Sequence, residues 1–198
     1  ENSNYIDPQL LAVRKALESL LPGYSKPRIR RPKIGSDPKN AALKRPVFTI
    51  TKDGEELAFD QLSEGERTMA ALTCDIARRL SIANPKSDNP LNGDGVVLID
   101  EIDLHLHPDW QRKAIPSLRR TFPNIQFVLA THSSIVLGHV PAECVRILED
   151  FTVVEAPFTE GRDPNSLYLE VFDVPLRTEK TEIQINTIAD LIEKNKLD

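Results

Sequence analysis

Apolar positions recur with helical spacing in four segments of the chain. Between residues 7 and 21 the leucines form a stripe, and Asp7 followed by Pro8 is a pair that favours the start of a helix. The same spacing predicts helices over residues 63–82, over residues 108–121 and from about residue 181 onward. The last of these is amphipathic, with apolar positions at Ile185, Ile188, Leu191 and Ile192.

Short apolar runs between these segments predict strands. Residues 96–99 read Val-Val-Leu-Ile with no polar alternation, so we expect a strand that is buried on both faces, as in parallel α/β sheets. Residues 127–130 predict a second such strand. Residues 47–51 and 57–59 flank Asp53-Gly54 and predict a hairpin, and smaller strands are expected at 145–148 and 152–154. The predicted fold class is α/β, with a mostly parallel sheet flanked by helices.

Composition excludes several classes of protein. The chain has 198 residues, of which 40% are hydrophobic, and a net charge of −5, which is typical of a globular domain. No apolar run approaches the roughly 20 residues that span a bilayer, and the first residues lack the pattern of a signal peptide. The two cysteines, Cys74 and Cys144, form no CxxC motif. We therefore expect a cytoplasmic protein without a membrane partner.

One segment is strongly basic. Residues 26–45 hold eight lysines and arginines and a single acid, Asp37. Such a run is consistent with contacts to nucleic-acid phosphates, and it is equally consistent with a solvated loop or an edge strand. Prolines at 27, 32 and 38 and the lack of aromatic residues favour the second interpretation.

The first candidate site is the sequence Leu-Ser-Glu-Gly-Glu at residues 62–66, directly before a predicted helix. Ser63 followed by Glu66 is a capping box, which by itself indicates only a well-formed helix start. The N-terminus of a helix also offers free N–H groups and a positive dipole end to a phosphate.

Polar residues follow both apolar strands. Asp100 and Glu101 come directly after residues 96–99, and His132 follows residues 127–130. Ligands of open α/β sheets bind at the carboxyl ends of the strands, so we expect these side chains to face one ligand. Asp100 could hold Mg²⁺ and Glu101 could act as a general base towards water.

The pair His105 and His107 could be metal ligands, with Asp103 and Asp109 nearby. That arrangement resembles the first strand of amidohydrolase barrels, which need about 250 residues and further ligands downstream. The chain is too short for such a barrel, so a structural role for the two histidines is favoured.

In their order, the motifs at 62–66, 96–101, 103–108 and 129–133 resemble the second half of an ABC-type ATPase head, of the RecF, SMC and OLD-like branch. The resemblance implies that Leu62, Ser63, Glu64, Gly65 and Glu66 form the nucleotide-binding signature motif. It makes Asp100 the Walker B acid and Mg²⁺ ligand, Glu101 the catalytic glutamate, residues 104–107 the D-loop and His132 the switch histidine. His107 stands where the family often has an aspartate.

The resemblance also implies ATP and Mg²⁺ as cofactors, and self-association in which the signature motif acts in trans on the nucleotide of the opposite head. Residues 161–166 and 170–175 are similar to the tail of PtuA-type ATPases, which act in bacterial anti-phage systems (Septu and some retrons) with the HNH nuclease PtuB. A repair or chromosome-maintenance ATPase and a non-hydrolysing scaffold are the alternatives.

No glycine begins a G-x-x-x-x-G-K-[ST] phosphate-binding loop. We therefore expect one partial head over residues 1–198, namely its C-terminal lobe without the Walker A lobe. In this interpretation residues 1–46 form a helix and a basic connection, residues 47–140 the motif-bearing core, and residues 141–198 the terminal strands and helix.

Overall fold

The computed structural model describes residues 7–30, 46–175 and 177–195. The helices are α1 (Pro8–Leu20), α2 (Glu64–Ala83), α3 (Pro108–Thr121), α4 (Ser134–Leu137), α5 (Pro164–Val171) and α6 (Glu179–Asn195). The strands are β1 (Tyr24–Arg30), β2 (Val47–Lys52), β3 (Glu55–Ala58), β4 (Gly95–Ile99), β5 (Ile125–Leu129), β6 (Arg146–Glu149) and β7 (Thr152–Glu155). The chain divides into two compact units, Glu1–Thr131 and His132–Asp198. The expected division of a single partial head at residues 46 and 140 stays a prediction.

The helices predicted in the first unit are present, and capping residues next to them in the sequence explain where they begin. The Asp7 side chain accepts a 2.9 Å hydrogen bond from the Gln9 amide and caps α1, whose buried face includes Leu17 and Leu20. Met69, Ile76 and Leu80 of α2 are buried, as expected for a core stripe. α1 packs against both α2 and α3.

The predicted hairpin around Asp53 and Gly54 is confirmed, and it belongs to a larger sheet. β1, β2 and β3 form an antiparallel sheet in that order, and both turn residues have positive φ, as a two-residue hairpin turn requires. The start of the basic segment is therefore an edge strand, which was the favoured interpretation for residues 26–30. Residues 31–45 of that segment lie outside the described part of the chain.

β4 and β5 are parallel neighbours, with Val97 opposite Phe127. Parallel pairing is confined to these two strands within the described residues, since the other strand pairs are antiparallel. The prediction that β4 and β5 are buried on both faces is wrong here. Half-buried and exposed residues alternate along both strands, and Leu98 and Val128 are 76% and 50% exposed. An unbroken apolar run shows that both faces can be buried, and it does not show what covers them.

The second unit has a small core of its own. Leu137, Val145 and Leu167 are buried together, and partly buried side chains including Phe172 pack against them. β6 and β7 pair as an antiparallel hairpin near the predicted positions, and α6 confirms the predicted C-terminal helix. The sequence did not predict α5, which begins where Asp163 caps the helix and Pro164 takes its first position.

Within the described ranges, the helices are all too short or too polar to cross a membrane.

Candidate functional site

The N-terminus of α2 carries the first candidate site. Ser63 and Glu66 form the predicted capping box: the Ser63 amide and hydroxyl donate to Glu66 Oε2 at 2.9 and 2.8 Å, and the Glu66 amide donates to Ser63 Oγ at 3.3 Å. Leu62 is buried just before the cap, whereas Ser63 and Glu64 are exposed. The hydrophobic Leu62 thus anchors the chain while the start of the helix faces solvent.

The Glu66 carboxylate also faces the antiparallel sheet. Tyr24 Oη of β1 donates a 2.6 Å hydrogen bond to Glu66 Oε1, and Lys52 Nζ of β2 lies 3.8 Å from the same oxygen and 4.7 Å from the centroid of the Tyr24 ring. Partial burial acts to raise the pKa of Glu66. The hydrogen bonds from Tyr24 and Ser63 and the charge of Lys52 outweigh that effect, so its pKa lies below the ordinary value. Glu66 is therefore held ionised and in place.

The segment after β4 packs against the same helix end. Gly65 is buried, and a Cβ at this position would lie 3.3 Å from Trp110 Cδ1 and 3.5 Å from Leu106 Cδ2. The Nδ1 atom of His105 lies 3.3 Å from Glu64 Oε1. Residues 62–66 and 104–107, which the sequence predicts as signature motif and D-loop, therefore meet in space within one unit.

The turn that follows β4 is tightly fixed. Asp100 and Glu101 are exposed at the carboxyl end of the strand, and Glu101 has a φ of +50°. The Leu104 amide donates to the Glu101 carbonyl at 2.9 Å, the Ile102 amide donates to the Ala130 carbonyl at 3.1 Å, and Thr131 Oγ1 bonds to Asp103. These bonds hold a backbone conformation that is unfavourable for a residue with a side chain, at a cost of about 1–3 kcal/mol.

His107 caps α3. Its Nδ1 atom accepts a 3.3 Å hydrogen bond from the Asp109 amide, and Pro108 takes the first helical position. N-cap positions favour side chains with an acceptor, and a neutral imidazole nitrogen supplies one. The described residues contain no cluster of three or more histidine, cysteine, aspartate or glutamate side chains placed to hold a metal ion. A protein-only metal site at His105 and His107 therefore finds no support.

His132 is exposed and is the first residue of the second unit. Ser133, which follows it, caps α4 by accepting a 3.2 Å hydrogen bond from the Val136 amide. The structure thus brings residues 62–66 together with residues 104–107, and it places Asp100 and Glu101 at the beginning of the turn that leads into them. Whether His132 faces the same ligand stays a prediction.

Tyr24 and Lys52 are the site residues that sequence reasoning missed. They are 42 and 14 positions from Glu66 along the chain, and no local pattern connects them with the capping box. Their proximity depends on the pairing of β1 with β2, in which Tyr24 lies opposite Lys52, and the sequence gives no signal of that register.

Comparison with known proteins gives a consistent result. The chain is 42% identical over 159 residues to the "Retron Vc95 probable ATPase" of Vibrio cholerae serotype O1 biovar El Tor, covering 76% of this chain and 31% of that protein. It is 38% identical over 93 residues to the "Septu protein PtuA" of Bacillus mycoides (strain KBAB4), covering 46% of this chain and 13% of that protein. The chain thus spans less than a third of the length of these relatives. The resemblance predicted from the motifs is confirmed.

A solved structure from work on ATP-driven dimerization and DNA-stimulated activation of SMC ATPases is similar with a TM-score of 0.52 and 16% identity. The match covers 86% of this chain and 94% of that one. At this identity the similarity concerns the fold alone, and it confirms the predicted α/β class. Residues 12–138 match the family model described as "AAA domain, putative AbiEii toxin, Type IV TA system". The chain belongs to this AAA domain family.

Proposed function

We propose that the chain is the C-terminal lobe of an ABC-type ATPase head, and that the full-length protein binds and hydrolyses ATP in the cytoplasm. One observation carries the proposal: the start of α2 and the turn after β4 meet within one unit, and both acids in the first turn of α2 have partners. Glu66 is bonded to Tyr24 and Ser63, and Glu64 lies against His105. The exposed start of α2 at Ser63 thus lies beside the turn after β4, and a helix N-terminus is a place where a phosphate can bind.

The residues fit Mg²⁺ and ATP phosphates. Mg²⁺ usually binds one or two carboxylates together with phosphate oxygens and water, which suits the exposed Asp100 carboxylate at the carboxyl end of β4. Bound Mg²⁺ would neutralise charge on the phosphates and on the leaving group. A helix N-terminus is a suitable donor set for a γ-phosphate, and the Ser63 hydroxyl would join it by exchanging its bond to Glu66 Oε2 for one to the phosphate.

We assign a separate role in ATP hydrolysis to each candidate residue. Glu101, adjacent to Asp100, orients a water molecule and accepts its proton. Ser63 and the first turn of α2 bind the γ-phosphate held by an opposite head, so that nucleotide binding and self-association are coupled. We assign His132 the role of the switch histidine that senses the γ-phosphate. Phosphoryl transfer depends mainly on positioning and charge stabilisation, and these residue types supply both.

The exposed face of β4 and β5 supports the assignment to part of a head. Val96, Leu98 and Val128 are each at least half exposed and share one side of this parallel pair. Parallel strands are ordinarily covered on both faces. We assign this face to packing against the lobe that carries the phosphate-binding loop.

The biological role follows from the relatives' names and remains part of the proposal. The names of the retron and Septu relatives support a role in anti-phage defence. From the resemblance to PtuA-type ATPases we further propose that nucleotide-driven dimerisation of the head controls a partner nuclease of the HNH type. The alternative functions are a role in DNA repair or chromosome maintenance and a scaffold that does not hydrolyse ATP.

The test is Mg²⁺-dependent ATP hydrolysis by the full-length protein, wild type beside Glu101→Gln. We expect turnover in the wild type and a loss of about 100-fold or more in the variant, since general-base catalysis contributes roughly 10²–10⁴-fold. Glu149→Gln is the matched control, because Glu149 is exposed on β6 and outside all the motifs. Absence of turnover in the wild type would favour the scaffold, and equal turnover in Glu101→Gln would reject the role of Glu101.

A further inference from the structure

One cavity of the first unit is lined by residues outside the candidate ATP site. It has a volume of about 540 Å³ and is lined by residues of α1 and β1, namely Arg14, Glu18, Lys26, Pro27 and Arg28. None of these residues belongs to the signature motif or to the turn after β4. The proposed ATPase function assigns no role to this cavity.

The charges that line the cavity are unbalanced. Three cationic side chains face a single acid, Glu18, and the Glu18 carboxylate already accepts a 3.1 Å hydrogen bond from the Lys26 amide. Arg28 has a distant partner, since its Nε lies 3.6 Å from Glu56 Oε1, and Glu56 is also paired with Arg30. No ion pair involves Arg14 or Lys26 among the described residues. An anion in the cavity would relieve the mutual repulsion of the three cations.

The Arg14 guanidinium is not held by an acceptor of the described residues. Its Nε atom is shielded from solvent and has no hydrogen-bond partner in the described part of the chain. Arginine donors are well suited to tetrahedral oxyanions, which accept several hydrogen bonds at once.

The backbone of β1 is irregular where it borders the cavity. Lys26 has a φ of +52°, and the pairing of β1 with β2 shifts in register between Ser25 and Arg28. Bulges of this kind redirect side chains at the edges of sheets and near binding sites. Lys26 and Arg28 are two residues apart on this edge strand, and both line the same cavity as Arg14.

We propose that the cavity formed by Arg14, Lys26 and Arg28 binds a phosphate group of a nucleic-acid backbone. Three cations suit a phosphate, because phosphodiester oxygens are acceptors without donors. The backbone of a nucleic acid is favoured over a free phosphate compound because the sequence continues with a basic run as far as Arg45. The site is sequence-independent in its recognition, and it is separate from ATP hydrolysis.

The test uses the full-length protein with two probes, a fluorescent 20-nucleotide single-stranded DNA and inorganic pyrophosphate. The cavity variant is Arg14→Gln with Lys26→Asn, since asparagine tolerates the positive φ of residue 26. The matched control, Arg78→Gln with Arg119→Gln, removes the same charge at two exposed helical positions. Thermal unfolding shows whether each variant folds, and Lys26→Asn alone replaces the cavity variant if the double change does not.

We expect the cavity variant to bind the DNA about tenfold more weakly than the control. The slope of log K against log salt should become shallower by about one unit, as for a lost phosphate contact. A loss confined to pyrophosphate would support the same phosphate chemistry with a free compound as its source. Equal affinity of both variants for both probes would overturn the proposal.

Discussion

Tyr24 on β1 donates a 2.6 Å hydrogen bond to Glu66 in the first turn of α2. This contact connects an edge strand of the antiparallel sheet with the capping box of the candidate signature motif. Because Glu66 Oε2 also accepts from the amide and hydroxyl of Ser63, the tyrosine helps to fix the serine that we expect to face the nucleotide. The geometry of the helix start thus depends on a residue 42 positions earlier in the chain.

Tyr24→Phe should destabilise the protein by about 1 kcal/mol at pH 7, in line with the loss of one hydrogen bond. The low pKa of Glu66 gives stability that is present above its unfolded pKa and is lost as pH falls through the folded pKa. Without the Tyr24 hydroxyl, the folded pKa moves towards the ordinary value. The difference between wild type and variant should therefore shrink as pH falls below the ordinary pKa of a glutamate and through the lower folded pKa of Glu66.

Denaturant unfolding at several pH values measures this difference. Tyr168→Phe is the control, because the described residues offer the Tyr168 hydroxyl no hydrogen-bond partner, whereas its ring contacts Phe172. A Tyr24→Phe difference that is constant with pH would show that the hydroxyl does not stabilise the ionised form of Glu66.

Gly65 should tolerate alanine much better than valine. A Cβ meets Trp110 at 3.3 Å, which requires a shift of a few tenths of an ångström, and the gain in helix propensity of about 1 kcal/mol offsets this cost. The additional methyl groups of valine would displace Trp110 or Leu106, at a cost of about 1–3 kcal/mol. Thermal unfolding measures the two variants, with Ala71→Val as a control at an exposed position of the same helix. Equal stability of Gly65→Ala and Gly65→Val would contradict the close packing.

At position 101, glycine should suit the backbone better than other replacements, although it lacks the carboxylate that the proposed activity needs. Its φ of +50° is easily adopted by glycine and not by alanine. Glu101→Gly should therefore be more stable than Glu101→Ala by about 1 kcal/mol, while both variants lose the carboxylate. The unfolding midpoint of each variant measures the difference. If Glu101→Ala is the more stable of the two, the left-handed conformation is not maintained in the protein.

Local signals in the sequence predicted much of the first unit. Ser63 with Glu66, Pro108, and Asp53 with Gly54 each determine an element through neighbouring residues, and α2, α3 and the β2–β3 hairpin follow near the predicted positions. The ordered motifs led to the family, and the fold class was confirmed with it. The residues of the candidate site lie at the ends of these elements, so their approximate placement was predictable as well.

Other features depend on distant parts of the chain. The start of the basic segment was predicted only as a loop or an edge strand, because its basic composition suits both and its partner β2 begins 17 residues after β1 ends. The bond from Tyr24 to Glu66 and the contact of Gly65 with Trp110 depend on how sheet and helices pack. The open face of β4 was missed for a similar reason, since its residues are apolar on both sides.

The lifetime of the ATP-bound assembly of the full-length Glu101→Gln protein tests the central claim most directly. If Glu101 activates water between two heads, the variant binds ATP, associates and does not reopen. Light scattering after addition of Mg²⁺ and ATP should then show a dimer or larger assembly that outlasts the wild-type one, and Ser63→Ala in the same background should abolish it. An assembly that decays as fast as the wild type, with rapid hydrolysis, would contradict the account.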